Sequence, residues 1–202
     1  MPLFRFLATA ALCTAALPGL AGCPTGKDIT EGIVLAQNEP FFMRGDFKST
    51  PEGFVEMRVI EMDGQAQESM ALYQHGLVMT GEHSPAGHVE ITYVDDIRPL
   101  DRLPEEGKVA ISGIAKGPLG DAYVELELEF VGIGKVALAE CEFDTWTVNS
   151  SLLDRDGAGA RFQVEYAPEL NLVLAAGQIG PDGTVTPAYA YQWAGTAADM
   201  VR

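Results

Sequence analysis

The chain has 202 residues, 29 of them acidic and 13 basic, and its formal net charge is −16. An acidic surface repels the phosphates of nucleic acids and of anionic lipid headgroups, so the composition argues against a nucleic-acid partner. The length suits one domain with its own hydrophobic core.

The first residues have the composition of a secretory leader. Arg5 is the only charged residue before position 23, and the apolar run Phe6 to Leu17 follows it. That run is shorter than the roughly 20 residues that a helix needs to cross a bilayer. Pro18 and Gly19 then break the helix. Residues 1–22 are therefore predicted to be a helical signal peptide.

The four residues Leu20-Ala21-Gly22-Cys23 resemble the lipobox of bacterial lipoproteins. The resemblance implies a diacylglyceryl thioether on the Cys23 sulfur, cleavage between Gly22 and Cys23, and acylation of the new amine. Acyl chains such as palmitate would then hold the protein on a membrane. Pro24, standing where the family uses Asp to retain proteins at the inner membrane, favours the outer membrane and a body facing the periplasm. An ordinary secretory signal that leaves Cys23 free is the alternative.

Three consequences follow for the mature chain. Residues 23–31 are predicted to be a lipidated N-terminus and flexible linker, and residues 32–202 a single domain. Loss of Arg5 makes the formal net charge of the remainder −17. Cys13 leaves with the leader and lipid occupies Cys23, so Cys141 is expected to be a buried, unpaired thiol without an internal disulfide partner.

Beyond the leader, short runs of β-forming residues alternate with turn signals such as Asp63-Gly64 and Asp156-Gly157. The clearest is Tyr123 to Phe130, in which Val124, Leu126 and Leu128 alternate with glutamates. This period of two predicts a half-buried strand. About 10–11 such runs predict an all-β antiparallel meander that forms a curled sheet or β-barrel. The runs are 32–36, 54–62, 70–79, 88–94, 109–115, 123–130, 136–138, 143–148, 161–166, 172–175 and 188–193.

Residues 136–148 and 164–173 resemble a pattern of uncharacterised bacterial periplasmic β-domains, a "G-x-F-D-T" strand followed by a "Y-x-P-E-L-G" turn. The resemblance implies a curled sheet or barrel, related in some cases to lipoprotein carriers. Cys141 and Asn171 stand where that pattern has glycine. Asn is the next best residue at positive φ, so the change at position 171 is conservative.

The three histidines fall within one short region. A hairpin loop at Ser84 to Gly87 would set His83 opposite His88, close enough to share a metal ion. His75 would need a bend at Gly76 or Gly81 to join them. A solvated hairpin tip is the favoured interpretation, and a metal-assisted enzyme at His83 and His88 is the alternative.

Asp154-Arg155-Asp156-Gly157 resembles the start of a calcium loop but lacks the later acidic ligands. A plain turn between two strands is predicted instead. No other motif indicates a catalytic nucleophile or a nucleotide site.

Tyr189, Tyr191 and Trp193 alternate along the last predicted strand and form an aromatic stripe. Such a stripe packs in a core or lines a ligand pocket. The sequence thus predicts a non-enzymatic envelope lipoprotein without a cofactor beyond its covalent lipid. Its expected partners are the membrane and either an apolar small molecule or another envelope protein.

Overall fold

The computed structural model describes residues 22–201, so the predicted leader lies outside the described residues except for Gly22. Thirteen strands form one antiparallel sheet. They are β1 (Ile33–Gln37), β2 (Phe42–Thr50), β3 (Gly53–Met62), β4 (Gln65–His75), β5 (Val78–Ser84), β6 (Gly87–Tyr93), β7 (Lys108–Gly117), β8 (Gly120–Leu138), β9 (Cys141–Leu153), β10 (Gly159–Ala167), β11 (Leu172–Ile179), β12 (Val185–Ala190) and β13 (Trp193–Thr196).

The sheet is a meander whose two ends meet at the last stretch of chain. β12 pairs with β11, whereas β13 pairs with β1. Between them, Tyr191 N donates to Leu174 O at 3.0 Å and Gln192 N donates to Ala36 O at 2.8 Å. The sheet is therefore strongly curled, although its ladder of paired strands is not closed. This confirms the predicted antiparallel meander as a curled sheet.

Two glutamine side chains connect the chain across this meeting point. Buried Gln37 accepts a hydrogen bond from Ala190 N at 2.9 Å and donates one to Phe41 O at 3.2 Å. Gln192 accepts a hydrogen bond from Asn38 N at 3.0 Å. The amides satisfy backbone groups that the strand ladder leaves unpaired.

The strand predictions were incomplete in four places. β2 was missed. The predicted strand 70–79 is two strands, because the chain turns at Gly76 and Leu77, and the predicted strand 188–193 is likewise divided between β12 and β13. The runs 123–130 and 136–138 belong to the single strand β8, which continues through Gly132 and Gly134.

The turn predictions that depend on local chemistry are confirmed. Asp63 and Gly64 both have positive φ, 54° and 74°, in the two-residue loop between β3 and β4. Such a pair is typical of a type I′ hairpin. In the predicted plain turn after β9, Asp154 Oδ1 accepts hydrogen bonds from Asp156 N and Ala158 N, and Gly157 has a φ of 75°.

Two clusters of buried side chains form the core. The first core cluster contains Ile33, Leu35, Met43, Phe47, Phe54, Leu138, Cys141, Phe143, Ala167, Leu170, Leu172, Leu174, Tyr191 and Ala194. The second core cluster contains Leu77, Val78, Leu100, Leu103, Ile111, Leu126, Leu128, Val148, Val164 and Tyr166. In β9 the buried residues Cys141 and Phe143 are odd-numbered and Val148 is even-numbered, so the clusters lie against opposite faces of that strand.

Short helices occupy the longest connection between strands. A 3-10 helix at Arg98–Arg102 leads into α1 (Leu103–Glu106), which ends at Gly107 with a φ of 72°. Leu100 and Leu103 are fully buried in the second core cluster. Among residues 22–201, the structure has no helix long and apolar enough to cross a membrane.

The N-terminal segment packs against the sheet, which corrects the prediction of a flexible linker over residues 23–31. Gly26–Thr30 forms a 3-10 helix, and at its start Thr25 N and Oγ1 both donate hydrogen bonds to Asp28 Oδ2. Pro24 is buried, and Ile29 packs against the first core cluster.

Cys23 and Cys141 form a disulfide with a Cα–Cα distance of 5.5 Å. Cys141 is buried, as predicted, but the expectation that it has no disulfide partner was wrong. One sulfur atom holds either a disulfide or a thioether, so lipidation of Cys23 stays a prediction for chains in which this disulfide is not formed.

Candidate ligand-binding cavity

A cavity of about 250 Å³ lies where the two core clusters meet. Its wall is mainly aromatic and aliphatic, with one charged residue. The aromatic residues are Phe47, Phe54, Tyr73, Phe162, Tyr189 and Tyr191, and the aliphatic residues are Val164, Leu172 and Val173. The smaller residues Gly76, Ser150, Ala176 and Ala188 and the carboxylate of Glu56 complete the lining. Aromatic walls with few polar groups are typical of sites for small apolar ligands.

Strand register places the aromatic side chains of one wall. Phe54 in β3 lies directly opposite Tyr73 in β4, and their rings stack with centroids 4.9 Å apart. Phe47 in β2 lies beside Phe54, with ring centroids 6.3 Å apart. Cross-strand aromatic pairs of this kind hold one another in a fixed orientation, so this wall is preformed.

The charged residue in the wall is fully engaged by its neighbours. Glu56 is 1 % exposed, and Arg58 donates to it from Nε at 2.9 Å and from Nη2 at 2.5 Å. The hydroxyl of Tyr73 donates to Oε2 at 3.0 Å, and that of Tyr191 donates to Oε1 at 3.3 Å. A buried carboxylate needs this kind of compensation, because an unpaired charge in a core is strongly destabilising.

Glycine at position 45 makes room for this cluster. A Cβ atom there would lie 2.8 Å from the Tyr191 hydroxyl and 2.9 Å from Glu56 Oε1. Both distances are too short for a carbon atom, so a larger residue in β2 would displace the tyrosine or the carboxylate. The hydrogen bond between Tyr191 and Glu56 therefore depends on the absence of a side chain at Gly45.

The tyrosine hydroxyls in the wall stay neutral. Burial, reinforced by the negative charge of Glu56, raises the pKa of Tyr73, of Tyr189 and of Tyr191 well above the usual range. Burial alone would lower the pKa of Arg58, but its hydrogen bonds to Glu56 and the charge of that carboxylate raise it. The cavity wall thus contains one ion pair and neutral phenols at ordinary pH.

The predicted aromatic stripe is only partly correct. Tyr189 and Tyr191 line the cavity, with ring centroids 5.5 Å apart. Trp193 does not line it, because the chain changes pairing partner after Tyr191 and presents Ala194 to the first core cluster. The indole of Trp193 instead packs over Gly195.

Sequence reasoning missed the polar part of the site and most of its aromatic wall. A signal was nevertheless present in β3, where Phe54, Glu56, Arg58 and Ile60 share one face. A glutamate and an arginine two residues apart, between apolar residues on the same face, indicate a buried ion pair. Phe47 was missed together with β2, because Arg44, Gly45 and Asp46 interrupt the apolar alternation there.

The histidines do not come together as a group of three. His83 and His88 are directly opposite each other on β5 and β6, as predicted, and both are exposed. Their rings are stacked with centroids 3.7 Å apart, so their nitrogen lone pairs do not converge on one point. His75 is buried beside Tyr166. Among residues 22–201, no group of three or more His, Cys, Asp or Glu side chains is placed to hold a metal ion.

No protein-family model, no curated protein and no solved structure matches this chain. The cavity and its polar cluster therefore provide the basis for a functional proposal.

Proposed function

We propose that this chain is an exported, non-enzymatic envelope protein that holds a small apolar molecule in the cavity between its two core clusters. The supporting observation is the wall itself, in which aromatic residues surround a preformed space and only one side chain is charged. Apolar surface gains free energy when it leaves water, by about 25 cal/mol per Å². A ligand with a flat apolar body would gain this energy without reorganising the wall.

The volume sets the size of the ligand. An apolar cavity of about 150 Å³ holds one benzene molecule. The cavity here measures about 250 Å³, so a ligand of roughly ten non-hydrogen atoms fits it by the same scale. This size corresponds to a fused pair of aromatic rings or a short branched chain, and it is smaller than a complete lipid.

A cavity-filling variant tests this proposal directly. Ala176 lines the cavity, whereas Ala110 in β7 is exposed and lies outside it. Binding of naphthalene to the purified mature chain, followed by naphthalene fluorescence, should be lost in Ala176→Leu and retained in Ala110→Leu. Absence of saturable binding to the unmodified protein would refute the proposal.

Export is supported by two independent features. The N-terminal residues have the composition of a secretory leader. The Cys23–Cys141 pairing supports the same destination, because disulfides persist in oxidising compartments outside the cytosol.

Membrane attachment through Cys23 is the second part of the proposal, and the lipobox resemblance supports it. In the lipidated form Cys141 keeps a free thiol, since the sulfur of Cys23 is then a thioether. In the unlipidated form the two sulfurs form the disulfide. We therefore expect two chemically distinct forms of the protein, which differ in the state of the Cys23 and Cys141 sulfur atoms.

Intact mass measurement and thiol alkylation of protein extracted from the envelope distinguish these species. Lipidation predicts an added acyl mass and one alkylatable thiol, and Cys141→Ser should keep the lipid while losing that thiol. Recovery of only an unlipidated Cys23–Cys141 cross-linked peptide would contradict anchoring and leave the ligand proposal untouched.

A further inference from the structure

Most polar groups of the cavity wall already have partners. The carboxylate of Glu56 accepts four hydrogen bonds, from Arg58, Tyr73 and Tyr191. An ionised carboxylate offers about four lone-pair sites, so it has no remaining capacity for a ligand. Each tyrosine hydroxyl has one hydrogen, and those of Tyr73 and Tyr191 both point to Glu56. These groups stabilise the wall, and neither the Glu56 carboxylate nor the hydroxyl hydrogens of Tyr73 and Tyr191 are free to bond a ligand.

Two hydroxyls in the wall differ from the others. Tyr189 and Ser150 line the cavity, and neither hydroxyl makes a hydrogen bond with any described residue. Among the described residues, every fully buried side-chain nitrogen or oxygen has a hydrogen-bond partner. These two hydroxyls have none, so they are not fully buried and remain reachable from the cavity or from solvent. The Tyr189 ring lies beside that of Tyr191, with centroids 5.5 Å apart, and the Tyr191 hydroxyl donates to Glu56, so Tyr189 borders the polar cluster. Burial raises the pKa of Tyr189, and the charge of Glu56 adds to this effect.

The charge balance of the wall determines which ligand these hydroxyls suit. Glu56 is neutralised by the guanidinium of Arg58 in a bidentate pair, so the polar cluster carries no net charge. Hydroxyl groups alone do not offset the cost of burying an ionised ligand group. They do satisfy a hydroxyl or a carbonyl of a neutral ligand.

From this arrangement we infer that the ligand is a neutral, largely apolar molecule with a single hydroxyl or carbonyl group that hydrogen-bonds to the hydroxyl of Tyr189. This inference rests on the proposed ligand-binding function and specifies the ligand class. Its apolar body occupies the space between the rings of Phe54, Phe162 and Tyr191. Its polar group lies at the Tyr189 side of the cavity, beside the polar cluster around Glu56.

The test compares three probes with one ring skeleton: naphthalene, 2-naphthol and 2-naphthoate at pH 7. The unmodified mature chain should bind 2-naphthol more tightly than naphthalene and should bind the anionic naphthoate most weakly. In Tyr189→Phe, affinity for 2-naphthol should fall about threefold to tenfold, the effect of one hydrogen bond. Affinity for naphthalene should not change, which also shows that the cavity remains intact.

Tyr93→Phe is the matched control. Tyr93 is part-buried against the second core cluster, its hydroxyl makes no hydrogen bond with any described residue, and it does not line the cavity. This variant should bind all three probes as the unmodified chain does. Ser150→Ala provides a second variant that removes a lining hydroxyl without altering an aromatic ring.

Each outcome affects one of the two proposals. Equal affinities for naphthalene and 2-naphthol in both the unmodified chain and Tyr189→Phe would overturn the inference about Tyr189 and leave the ligand-binding function standing. Binding of 2-naphthoate as tight as that of 2-naphthol would overturn the neutral ligand class. Failure of the unmodified chain to bind any of the probes would overturn the ligand-binding function itself.

Discussion

Asn171 has a role that its backbone conformation alone does not explain. Its φ is 55°, which glycine adopts more easily. Its side-chain oxygen, however, accepts hydrogen bonds from Gly76 N at 2.8 Å and from the Tyr166 hydroxyl at 2.9 Å. The residue therefore joins the turn after β10 to the turn between β4 and β5, which glycine could not do.

Replacement of Asn171 by glycine should destabilise the protein even though the backbone relaxes. The loss of two part-buried hydrogen bonds is expected to lower the free energy of unfolding by about 1–3 kcal/mol. Urea denaturation measures this decrease in the free energy of unfolding. Asp63→Gly is the control, because Asp63 also has positive φ, 54°, but is exposed in a hairpin loop. Equal effects of the two substitutions would contradict this role of the Asn171 side chain.

His75 is held in one tautomer by its neighbours. Its Nδ1 accepts a hydrogen bond from Leu77 N at 3.1 Å, so the proton of the neutral ring lies on Nε2. Nε2 lies 3.1 Å from the Tyr166 oxygen, and the Tyr166 hydroxyl in turn donates to Asn171. A second proton on Nδ1 would break the bond to Leu77. Burial lowers the pKa of His75, and the nearby charge of Asp101 only partly opposes this effect.

This burial predicts a pH dependence of stability. Below the unfolded-state pKa of about 6.5, the unfolded chain takes up a proton at His75 that the folded chain does not. The free energy of unfolding should therefore fall as the pH is lowered from 7.5 to 5.5. His75→Gln should reduce this slope, and the exposed-site variant His83→Gln should keep it. A slope unchanged in His75→Gln would show that other groups cause it.

At the scale of single elements, one bulge gives β9 its two buried faces. The register between β8 and β9 shifts between Phe130 and Gly132, so that Phe130 faces Val148 while Gly134 faces Thr145. In β8 the more buried residues are even-numbered on both sides of the shift, but in β9 the buried residues change from odd to even. The bulge thereby allows one strand to contribute to both core clusters.

The helical connection before β7 is a structural part of the core. Leu103→Ala is expected to lower the free energy of unfolding by about 2–5 kcal/mol, because the side chain is fully buried and its removal leaves a cavity. Leu119→Ala at the fully exposed tip of the β7–β8 hairpin should have no measurable effect. Thermal or urea unfolding compares the two, and a small effect at Leu103 would mean that the connection is separable from the sheet.

At the scale of the whole molecule, the disulfide fixes the N-terminal segment to β9. It links residues 118 positions apart, and cross-linking a loop of that length restricts the unfolded chain. The segment also approaches the turn after β10 closely, because Gly26 leaves no side chain between it and the carbonyl of Glu169. Bond and packing together hold residues 23–31 against the first core cluster.

Reduction of the disulfide should lower the free energy of unfolding by about 2–5 kcal/mol. Urea denaturation of the unlipidated mature chain, with and without a thiol reductant, measures this difference. The double variant Cys23→Ser/Cys141→Ser should be insensitive to the reductant and should resemble the reduced protein. Equal stability of the oxidised and reduced chains would indicate that packing alone holds the segment.

The sequence by itself determined the features that depend on local chemistry. Alternation along Tyr123 to Phe130 predicted which face of β8 is buried, and the Asp63-Gly64 pair predicted the turn between β3 and β4. The loop at Ser84 to Gly87 correctly set His83 opposite His88. Each of these depends on neighbours within a few residues, where backbone geometry and side-chain period leave few alternatives.

Only the tertiary structure decided which distant residues meet. The cavity combines β2, β3 and β4 with β9 to β12, and the carboxylate of Glu56 is satisfied by a hydroxyl from position 191. The pairing of Cys23 with Cys141, and the separation of Trp193 from Tyr191 by a change of strand partner, are equally non-local. No short-range pattern specifies such contacts, because they depend on how the whole sheet curls and on where its bulges shift the register.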